Sequence, residues 1–304
     1  MEQILVLMST FNGESFLGEQ LDSILSQQNV DVKLLIRDDG SIDNTRNILT
    51  QYKNKNPNLI EIITGENIGY KLSFAYLIKE GLIRFPDIKF LAFADQDDVW
   101  LNNKLFEGLK IIKETDSTKP IAYCTNTTLV DQSLNYIKDC WKPNEVEISK
   151  ARCMIENFAT GCTMIFNRRA GELFVSKNPQ YLSVHDYWMF QICVFLGEVY
   201  FDHTSRILYR QHDKNQIGRP GFFSRMKNRI LWKFKRNAIE YRNKSFLACY
   251  GDLLSDADKK LLAQITDYKK HYFNRLRLIF NDQIHYNGFE KNFFFVLKII
   301  FGII

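Results

Sequence analysis

Along the first hundred positions, apolar residues fall into short unbroken blocks separated by longer stretches with helical spacing. Residues 4–8 form one such block and predict a strand. Residues 14–27 then place Phe16, Leu17, Leu21, Ile24 and Leu25 on one helical face. A second strand is predicted over 32–36, a helix from Asp43 onward and a strand over 59–63. A helix over 72–83 and a strand over 90–94 complete the series. Strands alternating with helices of this length imply right-handed βαβ units and a largely parallel sheet.

The polar residues at the strand ends are the informative part of this pattern. The apolar run 90–94 breaks directly into Asp95-Gln96-Asp97-Asp98, three carboxylates within four residues. Two further polar sequences end strands, Ser9-Thr10-Phe11-Asn12 and Asp38-Asp39-Gly40-Ser41. Ligands bind at the carboxyl ends of the strands in such a sheet, so the three segments are expected on one edge. Asp95 and Asp97 alternate by two, and an extended segment points both to one side. Two hard oxygen donors on one side suit Mg²⁺ or Mn²⁺. The competing reading is a solvated acidic turn ahead of the next helix; the convergence of the three strand ends weighs against it.

From residue 120 the rhythm changes. Residues 121–130 look strand-like, 135–146 irregular, and 160–166 form another predicted strand. A helix follows over 168–176, and His185-Asp186-Tyr187-Trp188 opens an apolar helix that runs to 196. Strands over 198–202 and 206–209 lead into Arg210-Gln211-His212, and everything beyond Pro220 has helical character. The chain of 304 residues therefore divides into an α/β domain over 1–220 and a helical extension over 221–304.

Composition narrows the context. Six widely spaced cysteines with no CxxC pair, and no charged leader before the first strand, imply free thiols in a reducing cytoplasm. The net charge of +5 is local: residues 219–244 hold nine Lys/Arg against the single acid Glu240, so the rest of the chain is net negative. That distribution points to a local partner, not to a polycationic protein.

The segments Met8-Ser9-Thr10-Phe11-Asn12-Gly13, Arg37-Asp38-Asp39-Gly40-Ser41 and Phe93-Ala94-Asp95-Gln96-Asp97-Asp98-Val99-Trp100 resemble the nucleotide-sugar half of family 2 glycosyltransferases. Thr160-Gly161-Cys162, His185-Asp186-Tyr187-Trp188 and Tyr209-Arg210-Gln211-His212-Asp213-Lys214-Asn215 are similar to a subgroup of bacterial rhamnosyltransferases. The resemblance covers residues 1–220. It implies a GT-A fold, with a Rossmann-like, mainly parallel sheet, and transfer with inversion from a nucleotide sugar. The donor it points to is dTDP-L-rhamnose, with UDP-hexose or UDP-N-acetylhexosamine as the alternative.

The resemblance also implies roles. Asp97 and Asp98 would contact the metal; Asp98 as a helix N-terminal acid is the competing reading. From its place after a strand, His212 could reach the diphosphate as a neutral donor or serve as a metal ligand, with an incidental surface loop as the alternative. Asp95 would face ribose or metal, Asp39 would accept from the N3–H of the base, and Thr10 would lie on the loop cupping that base. For Asp38, support of the Gly40-Ser41 turn is preferred. Arg210 could reach the diphosphate. Asp186 would be the general base that takes the proton of the acceptor hydroxyl, against the alternative of a helix cap. His185 would position it, and Trp100 and Trp188 would pack.

Residues 222–241 carry Phe222, Met226, Ile230, Phe234, Ala238 and Tyr241 at helical spacing beside Arg225, Arg229, Lys233 and Arg236. Such a helix fits an anionic membrane surface. The apolar end 293–304 is shorter than the ~20 residues that span a bilayer. Both segments are expected on the inner face of a bacterial membrane, near a lipid-linked saccharide acceptor; packing on the domain or a homodimer interface is the alternative. Nucleic acid is not expected. A non-catalytic module that only binds nucleotide sugar is the second class of function, and Asp97 together with Asp186 argues against it.

Overall fold

The structure, a computed structural model, describes residues 1–212 and 239–304. Of the basic amphipathic segment expected over 222–241, residues 222–238 lie outside the described residues, as do Asp213, Lys214 and Asn215.

The alternation predicted at the start of the chain is present. β1 (Glu2–Thr10), α1 (Leu17–Leu25), β2 (Val30–Asp38), α2 (Thr45–Lys55), β3 (Ile60–Thr64), α3 (Tyr70–Arg84) and β4 (Phe90–Ala94) follow in order. β4 is buried at all five positions. That fits a strand covered on both faces, each fully buried Phe or Leu contributing about 1.5–3 kcal/mol. β5 (Val99–Trp100) and α4 (Lys104–Ile112) come next.

The region expected as one strand over 121–130 is two, β6 (Ile121–Thr125) and β7 (Thr128–Val130), which belong to different sheets. Asn126 makes the corner: its carboxamide accepts from Thr127 N at 2.9 Å and Trp141 N at 3.0 Å. β8 (Tyr136–Asp139) occupies part of the stretch expected to be irregular and pairs with β7. After α5 (Lys150–Cys153), the strand expected over 160–166 is a 3₁₀ turn at Gly161–Thr163 followed by β9 (Ile165–Asn167). α6 (Arg168–Val175), α7 (His185–Leu196), β10 (Glu198–Asp202) and β11 (Ile207–Arg210) follow.

The main sheet has the order β10-β6-β9-β4-β1-β2-β3 and is parallel except for β9, which runs against both β4 and β6. β2 lies on one side of β1 and β4 on the other, so the strand order reverses at β1/β4. The carboxyl edge at such a reversal is where open α/β sheets bind ligands. A smaller sheet, β5-β11-β7-β8, brings β11 beside the residues that follow β4.

Two compact units emerge, and they do not part at a single point in the chain. The first comprises 1–143, 159–177 and 184–210 and holds both sheets; the second comprises 144–158, 178–183 and 211–304. In the second, helices Ile239–Tyr250, Asp256–Thr266, Tyr272–Ile279 and Phe289–Phe301 join α5. Its interior contains Arg152, whose guanidinium pairs with Glu156 at 2.5 Å and donates to the His285 carbonyl at 2.7 Å. Glu156 also pairs with Lys291 at 2.7 Å, so this buried charge is matched. Among the described residues, no helix is long and apolar enough to cross a membrane. The six cysteines form no disulfide with one another.

Candidate active site

Three strand ends meet at the carboxyl edge of the first unit. At the end of β1, Thr10 is fully buried and its hydroxyl donates to Asp38 Oδ1 at 3.3 Å. Asp38 also accepts from Ser41 N at 3.1 Å, from Ser41 Oγ at 2.5 Å and from Arg46 at 2.8 Å. Asp38 therefore holds the turn, as preferred from sequence, and Thr10 supports it from the neighbouring strand.

Asp39 is buried as well. Its Oδ1 pairs with Arg37 and accepts from Ile68 N at 2.9 Å, while Oδ2 accepts from Gly69 N at 2.9 Å. A carboxylate oxygen has two lone pairs, so Oδ2 retains capacity for one more donor. Gly40 has φ 85 and its backbone packs on Asn67, a conformation that requires glycine. A groove of ≈ 580 Å³ lined by Gly40, Arg46, Thr64, Gly65, Glu66 and Asn67 adjoins this loop. It holds none of the carboxylates that follow β4.

Those carboxylates form the electrostatic centre of the unit. Oxygens of Asp95 and Asp98 and the sulfur of Cys162 all lie within 4.8 Å of one another. Burial, then the charge of Asp97, pushes Asp95 up to about 7 and Asp98 well above the ordinary carboxylate range. Asp98 is fully buried; its Oδ1 accepts from Arg210 N at 3.2 Å, and its Oδ2 has no hydrogen-bond partner. A buried acceptor without a donor, inside a cluster of mutually repelling carboxylates, fits a hard divalent cation such as Mg²⁺ or Mn²⁺. Burial also pushes the Cys162 thiol well above its usual range, and a soft sulfur suits a hard cation less well than the carboxylate oxygens do.

Arg210 is 1% exposed. Its Nε donates to the Asp97 carbonyl at 2.9 Å, and its other nitrogens engage the Gln132 carbonyl and Glu19. The guanidinium also lies 4.5 Å from the Phe16 ring centroid. The structure thus places Arg210 as a brace of the acidic turn, with its guanidinium committed to protein groups. His212 falls in the second unit.

Asp186 opens α7, but Val184 occupies the cap position and Asp186 lies in the first turn. Its Oδ2 accepts from Gly161 N at 3.0 Å and its Oδ1 from Tyr187 N at 2.5 Å. Burial pushes its carboxyl up to about 6, and it is near enough to raise Asp95 in turn. A carboxylate poised near neutral pH and fixed by two backbone donors has the properties of a general base. His185 stacks on Phe74 at 3.9 Å, with Phe93 edge-on at 4.8 Å, and both its ring nitrogens lack hydrogen-bond partners. Burial drives it down to about 3, so it is a neutral ring next to Asp186 in the chain.

Sequence reasoning missed three residues here. Cys162 lies against the carboxylates. Gln96 reaches back to the β1 loop. Lys104 is fully buried with its ammonium 3.6 Å from the Trp100 ring centroid, and burial lowers it to about 7. Trp100 and Trp188 are buried packing residues, as expected.

A mainly parallel sheet carrying an acidic turn at its switch point and a fixed carboxylate facing it defines a GT-A glycosyltransferase. The family model for glycosyl transferase family 2 matches residues 5–174, and the chain belongs to that family. Among similar proteins, a dTDP-rhamnosyl transferase, RfbG, from Shigella flexneri is 28% identical over 69% of this chain and 73% of its own length. An Escherichia coli protein, WfgD, named UDP-Glc:alpha-D-GlcNAc-diphosphoundecaprenol beta-1,3-glucosyltransferase, is 24% identical over 58% of this chain and 66% of its own. Residues 1–349 of S. aureus TarS, solved with UDP-GlcNAc, share the fold with a TM-score of 0.59 at 14% identity. That match covers 93% of this chain and 77% of the TarS chain. The mannosyltransferase PcManGT from Pyrobaculum calidifontis, solved with GDP-Man and Mn²⁺, matches with a TM-score of 0.50 at 12% identity, over 90% of this chain and 73% of its own.

Proposed function

We propose that this glycosyltransferase is inverting and metal-dependent. It moves L-rhamnose from dTDP-L-rhamnose to a lipid-linked saccharide in the synthesis of a bacterial cell-surface polysaccharide. The observation that carries the reaction type is Asp186, held by the Gly161 and Tyr187 N–H groups and raised to about 6 beside the acidic turn. The similarity to RfbG supports the sugar.

In this reading Asp186 accepts the proton of the acceptor hydroxyl as the oxygen attacks the anomeric carbon. The bond from that carbon to the diphosphate oxygen breaks on the opposite face, so a β-L donor yields an α-L-rhamnoside. Asp97 and Asp98, with Asp95 alongside, would hold Mg²⁺ or Mn²⁺, which when bound offsets the charge that develops on the departing diphosphate. Arg210 keeps the acidic turn in place through the Asp97 carbonyl and the Asp98 carboxylate. Asp39 offers its remaining lone pair to the N3–H of a uracil or thymine ring. The half-exposed Phe11 ring, on the neighbouring loop after β1, supplies a flat apolar face to that base.

A UDP-sugar donor is the second reading, favoured by the names of WfgD and TarS. Rates of diphosphate release from dTDP-L-rhamnose, UDP-glucose and UDP-N-acetylglucosamine separate the two. Faster turnover of either UDP-sugar would replace the rhamnose assignment and leave the chemistry intact.

For location, we place the protein peripherally on the cytoplasmic face of the membrane. Exposed aromatic residues in the second unit support this: Phe289 is 87% and Phe301 64% exposed on the last helix.

A further inference from the structure

The parallel ladder between β1 and β4 ends at Met8 and Ala94, whereas β1 stays paired with β2 as far as Thr10 and Asp38. Beyond Met8 and Ala94 the two central strands part, at the point where the strand order reverses. One side chain rejoins them. Gln96 Oε1 accepts from Phe11 N–H at 2.8 Å, and its Nε2 donates to the Phe11 carbonyl at 3.1 Å. The carboxamide thus stands in for a peptide group and makes both bonds that a pairing strand would make.

The rest of the loop is tied to the β2 side. Asn12 N donates to Ser41 Oγ at 2.9 Å, Ile42 N to Asn12 Oδ1 at 2.9 Å, and Gly13 N to Thr45 Oγ1 at 2.8 Å. Gly13 is matched to the same clasp, because a Cβ there would lie 2.6 Å from Gln96 Cδ. Gln96 itself sits between Asp95 and Asp97. Whatever fixes those carboxylates fixes the Gln96 backbone, and the carboxamide passes that constraint to Phe11 and the base-side loop.

We propose that Gln96 is a positioning residue that couples divalent-cation binding at the acidic turn to nucleoside-diphosphate binding at the Phe11 loop. This rests on the glycosyltransferase reading above. Beside the direct attraction between the cation and the diphosphate, the Gln96 clasp adds a coupling free energy of its own, and each ligand then strengthens the other by the same factor.

The test is calorimetric titration of UDP and dTDP into the full chain, with and without Mn²⁺, for the wild type, Q96A, Q96M, G13A and the G13A/Q96A pair. Mn²⁺ should raise diphosphate affinity in the wild type. In Q96A and Q96M that enhancement should fall about fivefold or more, with metal-free affinity held within about twofold. Q96M keeps the side-chain bulk, so a shared loss identifies the hydrogen bonds. G13A should reproduce the loss in the wild type and add nothing in Q96A, because the group it would strike is gone. Unchanged enhancement in Q96A and Q96M overturns the coupling. So does an equal loss of affinity with and without metal, or a G13A effect of the same size in both backgrounds. A wild type that binds neither nucleotide overturns the proposed dTDP- or UDP-sugar donor and this inference with it. A wild type that shows metal enhancement and a Q96A that keeps it overturn this inference alone.

Discussion

The carboxylate of Asp186 accepts a hydrogen bond from the backbone N–H of Gly161 at 3.0 Å, across 25 residues of chain. That bond joins the turn before β9 to the start of α7 and holds the carboxylate proposed as the base. Asp186→Asn keeps the shape and removes the basicity. Turnover should fall by about 10²–10⁴-fold while donor affinity stays near the wild-type value. A module that only binds nucleotide sugar would have no turnover to lose.

The same residue sets a pH dependence. Burial raises Asp186 to about 6, so its basic form is lost as pH falls through that value. The expected kcat/KM profile has an acidic limb near pH 6, and rate should drop tenfold per pH unit below it. A profile flat down to pH 4.5 would remove Asp186 from the proton transfer.

Gly161 is required by the crowding around Asp186 and His185. A Cβ there would lie 2.9 Å from His185 Nε2 and 3.3 Å from Asp186 Cβ. Gly161→Ala should therefore displace the base and cost on the order of 10²-fold in kcat. Overpacking should lower stability by about 1–3 kcal/mol, visible in thermal melts.

His185 contributes a stability term of defined sign. Its folded-state value of about 3 lies below its ordinary 6.5, so between those values the unfolded chain binds the extra proton. Its contribution is complete above pH 6.5 and is lost as pH falls toward 3. Asp95 and Asp186, raised by burial, act in the opposite direction, so the comparison must be with a variant. His185→Phe should show a smaller loss of melting temperature between pH 7.5 and 5 than the wild type. An equal loss in both proteins would contradict the buried neutral ring.

Much of this site is legible in the sequence because charge changes abruptly where strands end. The step from the apolar β4 to Asp95-Gln96-Asp97-Asp98 marks the sheet edge, and the same logic places Asp38 and Asp39. Residues whose roles depend on distant partners are not legible. Arg210 follows a strand and reads as a cation that could reach the diphosphate, yet its guanidinium engages the Asp97 carbonyl, the Gln132 carbonyl and Glu19. Lys104 near a helix start looks solvated, yet it is buried against Trp100. Gly161-Cys162-Thr163 looks like the start of a strand, and a tertiary bond to Asp186 makes it a turn. Asn126 splits one apolar run between two sheets through a carboxamide bonded to Trp141, a contact no local pattern announces.

The last helix separates two roles by face. Phe295 and Ile299 are buried, while Phe289, Phe293 and Phe301 are exposed. Changing Phe289, Phe293 and Phe301 together to Ser should reduce sedimentation with vesicles rich in anionic lipid and leave the melting temperature nearly unchanged. Phe295→Ala should instead cost about 3–5 kcal/mol of stability. Undiminished vesicle binding by the triple variant would assign those rings to another role.

The most direct test of the central claim is a thermal-shift panel of dTDP-L-rhamnose, UDP-glucose, UDP-N-acetylglucosamine and GDP-mannose, each with Mn²⁺ and with EDTA. Ligand that binds only the folded state stabilises it by about 2.7 kcal/mol at a hundred times Kd. The account predicts a shift with dTDP-L-rhamnose that requires Mn²⁺ and disappears in Asp98→Ala. A shift of equal size in EDTA, or none with any nucleotide sugar, would contradict it.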